Sequence, residues 1–128
     1  MGYIIVFLGA GVGGALRHGV NLLAARFLGL DFPYGTLAVN VIGSFVMAVI
    51  IAVFAESAEL PQDLRLFLTT GILGGFTTFS TFSLDTIVLF ERGEVGMACL
   101  YVGLSLGLSL GALFGGLLLA RSFLAPVG

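Results

Sequence analysis

Hydroxyl side chains are concentrated in residues 71–83, which read Gly-Ile-Leu-Gly-Gly-Phe-Thr-Thr-Phe-Ser-Thr-Phe-Ser. Glycines open this stretch, and hydroxyl residues then alternate with Phe79 and Phe82. Glycine opposes a regular helix through its backbone entropy. Inside a membrane, irregular backbone survives only where it is buried in protein or lines a cavity. Because interrupted membrane helices are common ion sites, the stretch predicts a broken helix that handles ions.

Two other apolar runs carry uncharged polar residues on one helical face. Asn40 lies in the first of these runs, four residues from Thr36 and from Ser44. Ser105 and Ser109 lie in the last run, with Tyr101 one turn earlier. An asparagine can simply join helices by hydrogen bonding, but intramembrane polar residues usually mark pathways. We therefore favour a pathway for Asn40 over a purely structural bond.

These side chains favour contact with an anion. All of the polar groups can donate a hydrogen bond and none carries a charge, and phenylalanine adds a weakly positive ring edge. Such a lining can replace the water around an anion without trapping it. An enzyme is not expected, because the sequence has no plausible triad, metal-ligand cluster or phosphate loop. Residues 9–14 fit the pattern GxGxxG, but a chain this apolar cannot supply the βαβ unit that the motif requires.

The composition is that of a membrane protein. Hydrophobic residues make up 59% of the chain and charged residues 9%, far fewer than a water-soluble surface needs. The net charge of −2 and the lack of a basic patch argue against nucleic acid as a partner. The expected partners are membrane lipid, an ion and a second copy of the chain. A single cysteine, Cys99, excludes a disulfide framework.

Four apolar runs are long enough to cross a bilayer as helices. They cover residues 3–27, 35–55, 66–90 and 95–120, and short polar connections join them. The sequence thus predicts an all-α membrane protein with one four-span domain, residues 1–128, whose third helix is broken near residues 74–79. In the fourth run, four glycines at four-residue spacing predict a packing face opposite the serines; they are Gly103, Gly107, Gly111 and Gly115.

The arginines do not choose an orientation. Arg65 and Arg121 flank the side of the termini, whereas Arg26 and Arg92 flank the other side. The two membrane sides therefore carry nearly equal numbers of arginines, so the positive-inside rule selects neither orientation. This balance favours dual topology and an antiparallel two-fold dimer. Arg17 lies about halfway along the first run, where it either reaches the interface from a tilted helix or places a positive charge at a pore vestibule.

Residues 71–83 resemble the signature of the Fluc-type fluoride channels of microbial membranes. Supporting matches are Gly13-Gly14 ahead of Arg17, residues 35–37, Val39-Asn40 and Gly43, so the resemblance covers nearly the whole chain. It implies a dual-topology antiparallel homodimer with two fluoride pores in the cell (inner) membrane. Such a channel exports fluoride passively from the cytoplasm and so reduces its toxicity.

The resemblance also implies roles for individual residues. Phe79 and Phe82 match the phenylalanine box, and Asn40 matches the pore-lining asparagine. The remaining fluoride-pore residues are Thr78, Ser80 and Thr81 on the third helix and Tyr101, Ser105 and Ser109 on the fourth. The carbonyls of Gly74 and Thr77 from both subunits would hold a structural Na⁺, and Arg17 would lie in a vestibule. Asp85 stands where the family is expected to carry glutamate.

Two other functions compete with this interpretation. A small multidrug-type proton-coupled exporter also has four spans, but it needs a membrane carboxylate in the first span and usually has tryptophans. This chain has neither. A non-transporting assembly protein held by glycine faces would leave Asn40 and the hydroxyl cluster unexplained.

Overall fold

Four helical spans build the chain in the computed structural model, which describes residues 1–124. The elements are α1 (Gly2–Leu28), α2 (Tyr34–Glu56), α3 (Gln62–Leu66), a π-helical segment (Phe67–Leu73), α4 (Gly74–Phe76), α5 (Phe79–Glu91) and α6 (Val95–Leu124). Elements α3 to α5 together form the third span. Each span is long and apolar enough to cross a membrane, which confirms the predicted all-α, four-span class. The last four residues of the predicted domain lie outside the described residues.

Two span boundaries differ from the prediction. The third span begins four residues earlier, because the carbonyl of Pro61 accepts hydrogen bonds from the N–H groups of Leu64 and Arg65. Proline is well suited to a helix start, where its missing N–H is not needed. Helix α6 extends to Leu124, since no helix-breaking residue follows the apolar run before Pro126.

The break in the third span is confined to two threonines. Thr77 has φ −86° and ψ 161°, and Thr78 has φ −154° and ψ 120°, so both are extended. This confirms the predicted interruption but not its expected cause, because Gly71 lies in the π-helical segment and Gly74-Gly75 lie in α4. The chain leaves the helix after these glycines, at the residues whose hydroxyls can bond nearby backbone.

The glycines of this region allow α1 to approach the third span closely. A Cβ on Gly9 would lie 2.8 Å from the Cα of Gly71, and a Cβ on Gly75 would lie 2.9 Å from the Cα of Ala10. Contacts this short with backbone atoms leave no room for a side chain. The predicted close packing through small residues is therefore confirmed for α1.

The break separates two apolar clusters that anchor the two halves of the third span. Before the break, Leu73 and Phe76 pack against Val39 of α2. After the break, Leu89 packs with Phe32 and Tyr101. A turn with Gly93 at φ 81° joins α5 to α6, and the N–H of Glu94 reaches the carbonyl of Leu89. The two helices are thereby held side by side.

The prediction that the spaced glycines of α6 form its packing face is wrong for contacts inside this chain. A Cβ on any of its four spaced glycines would meet nothing within 4 Å, and these residues are exposed. The buried face carries Tyr101, Ser105, Gly116 and Ala120 and lies against α2. The predicted faces are reversed because lipid is as apolar as the glycine ridge, so no hydrophobic force requires the ridge to be buried.

The close approach of α1 predicts different outcomes for two adjacent glycines. In Gly13→Ala, the new Cβ would lie 2.8 Å from the backbone N of Phe76, and such overpacking costs about 1–3 kcal/mol. In the matched control Gly14→Ala, the Cβ meets nothing within 4 Å. We expect a lower thermal denaturation midpoint in detergent for Gly13→Ala only. Equal midpoints for both variants would contradict this packing.

Candidate functional site

The break is held open by the side-chain amide of Asn40. Its Nδ2 donates to the carbonyl of Thr78 at 3.1 Å, and its Oδ1 accepts from the N–H of Thr78 at 2.8 Å. Both backbone groups of one extended residue are therefore satisfied by one side chain from α2. The structure thus gives Asn40 the helix-joining bond that the sequence analysis disfavoured, and it leaves one amide proton of Nδ2 for another acceptor.

Thr78 in turn begins the second half of the span. Its Oγ1 accepts from the N–H of Thr81 at 3.2 Å, which is an N-cap for α5. The same hydroxyl donates to Thr81 Oγ1 at 3.1 Å. Asn40 and Thr78 therefore form one connected unit, which fixes the extended residue and the start of the helix that carries Phe79 and Phe82.

Diverted amides leave two carbonyls without their helical donors. In a continuous helix, the N–H of Thr78 would bond the carbonyl of Gly74, and the N–H of Thr81 would bond that of Thr77. The first N–H donates to Asn40 and the second donates to Thr78 Oγ1. Gly74 and Thr77 are the two residues expected to supply carbonyl ligands, so their donor chemistry fits a hard cation such as Na⁺.

Arg17 contacts the same region from α1. Its Nε donates to the carbonyl of Gly75 at 3.1 Å, across 58 residues of sequence. Neither sequence alternative for Arg17 included this bond. The guanidinium thus donates a hydrogen bond to a carbonyl of the last helical turn before the break. This bond satisfies part of its hydrogen-bonding capacity inside the span.

A cavity of about 750 Å³ lies beside the break. It brings together most of the predicted pore residues, namely Asn40, Thr78, Phe79, Phe82, Ser105 and Ser109, and it includes Gly74 and Thr77. It also reaches Ser44, Thr69 and Thr70, which the sequence analysis did not include among the pore residues. Ser44 could have been found from its helical spacing to Asn40.

The two serines of α6 are the unsatisfied donors of this cavity. The Oγ atoms of Ser105 and Ser109 are buried and have no hydrogen-bond partner among residues 1–124. Other hydroxyls of the cavity lining differ, because Thr77 donates to the carbonyl of Leu73 and Thr69 donates to that of Arg65. A buried hydroxyl without a partner carries a free-energy cost that an incoming acceptor removes.

Three predicted pore residues lie outside this cavity. Tyr101 is fully buried, and its hydroxyl donates to Asp85 Oδ2 at 3.1 Å. Thr81 lines a separate cavity of about 300 Å³ together with Asp85, and Ser80 is exposed. Of the predicted pore residues, the structure therefore groups the asparagine, Thr78, the two phenylalanines and the two serines around one cavity. Tyr101, Thr81 and Ser80 lie outside it.

Tyr101 supports the phenylalanines from behind. Its ring centroid lies 5.3 Å from that of Phe82, which lies 5.6 Å from that of Phe79. Asp85, which the sequence singled out only as standing where glutamate is expected, has Tyr101 as its partner. A signal for its pairing with Tyr101 was present, since both residues are equally far in sequence from Gly93, the turn between two antiparallel helices.

Comparisons with known proteins agree with this architecture. The profile of the family described as "CrcB-like protein, Camphor Resistance (CrcB)" matches residues 4–117. The chain is 55% identical over 124 residues to the "Fluoride-specific ion channel FluC" of Granulibacter bethesdensis, covering 97% of this chain and 98% of that protein. The protein of the same name from Rhodopseudomonas palustris strain BisB5 is 52% identical, with 95% and 98% covered. That of Methylobacterium sp. strain 4-46 is 62% identical, with 77% and 79% covered.

The two hydrogen bonds between Asn40 and Thr78 predict that the backbone at Thr78 opens locally when the Asn40 side chain is removed. Asn40→Ala orphans an N–H and a carbonyl, each at about 1–3 kcal/mol. We expect the amide of Thr78 to exchange hydrogen roughly tenfold faster or more, measured by mass spectrometry of peptides spanning residues 77–82. Ser44→Ala is the matched control, because Ser44 lies one turn later on the same helix and lines the same cavity. Unchanged hydrogen-exchange protection of the Thr78 amide in Asn40→Ala would contradict the role of these two hydrogen bonds.

Proposed function

Because the chain belongs to the family of CrcB-like proteins, we propose that it is a fluoride-selective ion channel, like the relatives named above. It is a multi-pass membrane protein rather than an enzyme. In a bacterial inner membrane, it lets fluoride leave the cytoplasm down its electrochemical gradient and so limits fluoride toxicity. The proton-coupled exporter finds no support among the relatives, which are named as channels.

The observation that carries this proposal is the pair of unpartnered serine hydroxyls. Ser105 and Ser109 place two buried donors in the cavity that also holds the rings of Phe79 and Phe82 and the amide of Asn40. An anion that leaves water needs hydrogen-bond donors in place of its hydration shell. Hydroxyls, one amide proton and weakly positive ring edges meet that need for a small anion.

The absence of charge among these donors suits conduction. A conducting site must bind an ion well enough to admit it and weakly enough to release it. A buried lysine or arginine among these donors would deepen the binding well for fluoride, because charge interactions strengthen in a low-dielectric interior. Uncharged donors therefore favour passage over capture.

We propose an antiparallel homodimer as the assembled channel. Phe79 is 76% exposed in the single chain although it lines the cavity. A second copy would supply the missing wall and cover this ring. The near tie between arginines at the two membrane sides supports opposite orientations for the two copies.

We propose further that a structural Na⁺ binds the carbonyls of Gly74 and Thr77, with the second copy contributing the same pair. The diversion of the amides of Thr78 and Thr81 supports this assignment. When bound, the ion supplies positive charge to carbonyls that the break deprives of donors. Asn40 and Thr78 Oγ1 hold those carbonyls available.

Fluoride efflux from liposomes tests the channel. We expect rapid fluoride loss and little chloride loss from vesicles that contain the purified protein. In Ser105→Ala and Ser109→Ala, fluoride efflux should fall roughly tenfold or more, because a hydrogen bond to a charged acceptor contributes about 1.5–3 kcal/mol.

The matched control for these variants is Ser122→Ala, which removes the same hydroxyl from an exposed position on α6. It should conduct like the parent protein. Absence of fluoride efflux from correctly assembled parent protein would exclude the channel. Equal efflux in the three alanine variants would exclude the serine donors while leaving the channel itself intact.

The sodium site predicts a specific effect on stability. A ligand at 100 times its Kd stabilises the folded state by about 2.7 kcal/mol. The thermal denaturation midpoint in detergent should therefore rise with Na⁺ and stay constant with N-methylglucamine at the same ionic strength. Identical midpoints in the two salts would contradict a bound structural Na⁺.

A further inference from the structure

We propose that Arg65 is the residue that gathers anions at the mouth of the fluoride pathway, an inference that rests on the proposed function. The cavity that contains Ser105 and Ser109 continues to the start of the third span, where Arg65, Thr69 and Thr70 line it. Arg65 is exposed and lies three residues after Gln62, where the third span begins beside a polar connection, so this part of the cavity is its end toward water.

Among residues 1–124, Arg65 is the only one with a charged side chain that lines this cavity. The other lining residues are apolar side chains, glycines and uncharged donors. Arg65 is therefore the charged side chain that this chain contributes to the electric field in the cavity. A cleft with low-dielectric walls focuses such a field, and a focused positive field raises the local concentration of anions.

The guanidinium of Arg65 is also free to act on mobile ions. Among residues 1–124, the guanidinium has no hydrogen bond and no ion pair. The backbone of Arg65 is bonded, since its N–H donates to the carbonyl of Pro61 and its carbonyl accepts from the hydroxyl of Thr69. Two other arginines are occupied, because Arg17 bonds the carbonyl of Gly75 and Arg92 pairs with Glu94. Arg65 therefore differs from them in having its charge available.

The chemistry at the mouth differs from that deeper in the cavity. At the exposed position of Arg65, water and salt screen the charge, so it attracts fluoride without holding it. The uncharged hydroxyls of Ser105 and Ser109 then take over in the buried part. The acidic residues of the same membrane side, Glu56, Glu59 and Asp63, do not line the cavity. The charged side chain of the lining thus stands where screening keeps binding weak.

This assignment changes the position of the vestibule charge. Family resemblance implied Arg17 in that role, but the Nε of Arg17 faces the carbonyl of Gly75, and Arg17 does not line the cavity. Arg65 was counted in the sequence only as a flanking charge for orientation. Its approach to the pathway depends on the early start of α3, which the apolar run did not predict.

The test is fluoride efflux at two ionic strengths, from vesicles of zwitterionic phosphatidylcholine with fluoride near half-saturation. The Debye length is about 30 Å at 0.01 M salt and about 3 Å at 1 M. With an impermeant salt, Arg65→Gln should reduce efflux roughly threefold to tenfold at low ionic strength and have little effect at high ionic strength. Arg65→Glu should reduce it further, and Arg65→Lys should retain most of it.

The matched control is Arg121→Gln, which removes the same charge from the same membrane side at an exposed position that does not line the cavity. It should conduct like the parent protein at both ionic strengths. A loss that is equal for Arg65→Gln and Arg121→Gln would assign the effect to general surface charge and overturn the proposal. A loss for Arg65→Gln that persists at 1 M salt would overturn it too.

The parent protein supplies a second readout if Arg65→Gln does not fold. Its own efflux at half-saturating fluoride should fall as ionic strength rises, and efflux independent of ionic strength would contradict the inference. Failure of the proposed function gives a different result, because the parent protein would then release no fluoride under any condition. A conducting parent with indistinguishable Arg65 variants would refute only the role of Arg65.

Discussion

A break in a membrane helix must satisfy the backbone groups that it frees, and one asparagine provides the central solution here. Asn40 bonds both the N–H and the carbonyl of Thr78, so the extended residue needs no water. The hydroxyl of Thr78 then caps α5. Arg17 adds a donor to the carbonyl of Gly75 from the other side. The positions of Phe79 and Phe82 follow from these bonds, since the helix that carries them begins at Thr78.

The hydroxyl groups divide into two classes with different consequences. Thr77 and Ser83 donate to carbonyls of their own helix, so their protons are already used. Ser105 and Ser109 are buried without a partner in the described part of the chain. The second class keeps its protons for an incoming acceptor. In the proposed channel, the two serines matter because their hydroxyls remain unpaired.

Residue types predicted the spans, the break and the residues around the main cavity, because membrane thickness and backbone satisfaction leave few alternatives. They did not predict which face of α6 is buried, since lipid accepts a glycine ridge as readily as a neighbouring helix does. The bonds from Arg17 to Gly75 and from Asn40 to Thr78 join distant residues. Spacing within one helix carries no information about such partners. The bond from Tyr101 to Asp85 was open to inference, because both flank the same turn.

In the proposed channel, uncharged donors conduct fluoride passively, without coupling to protons. The most direct test is the reversal potential of the purified protein in a planar bilayer, under opposed fluoride and chloride gradients and with a pH gradient added. The current should reverse at the fluoride equilibrium potential, and the pH gradient should not change this potential. A reversal potential that moves with the pH gradient, or that follows chloride, would contradict it.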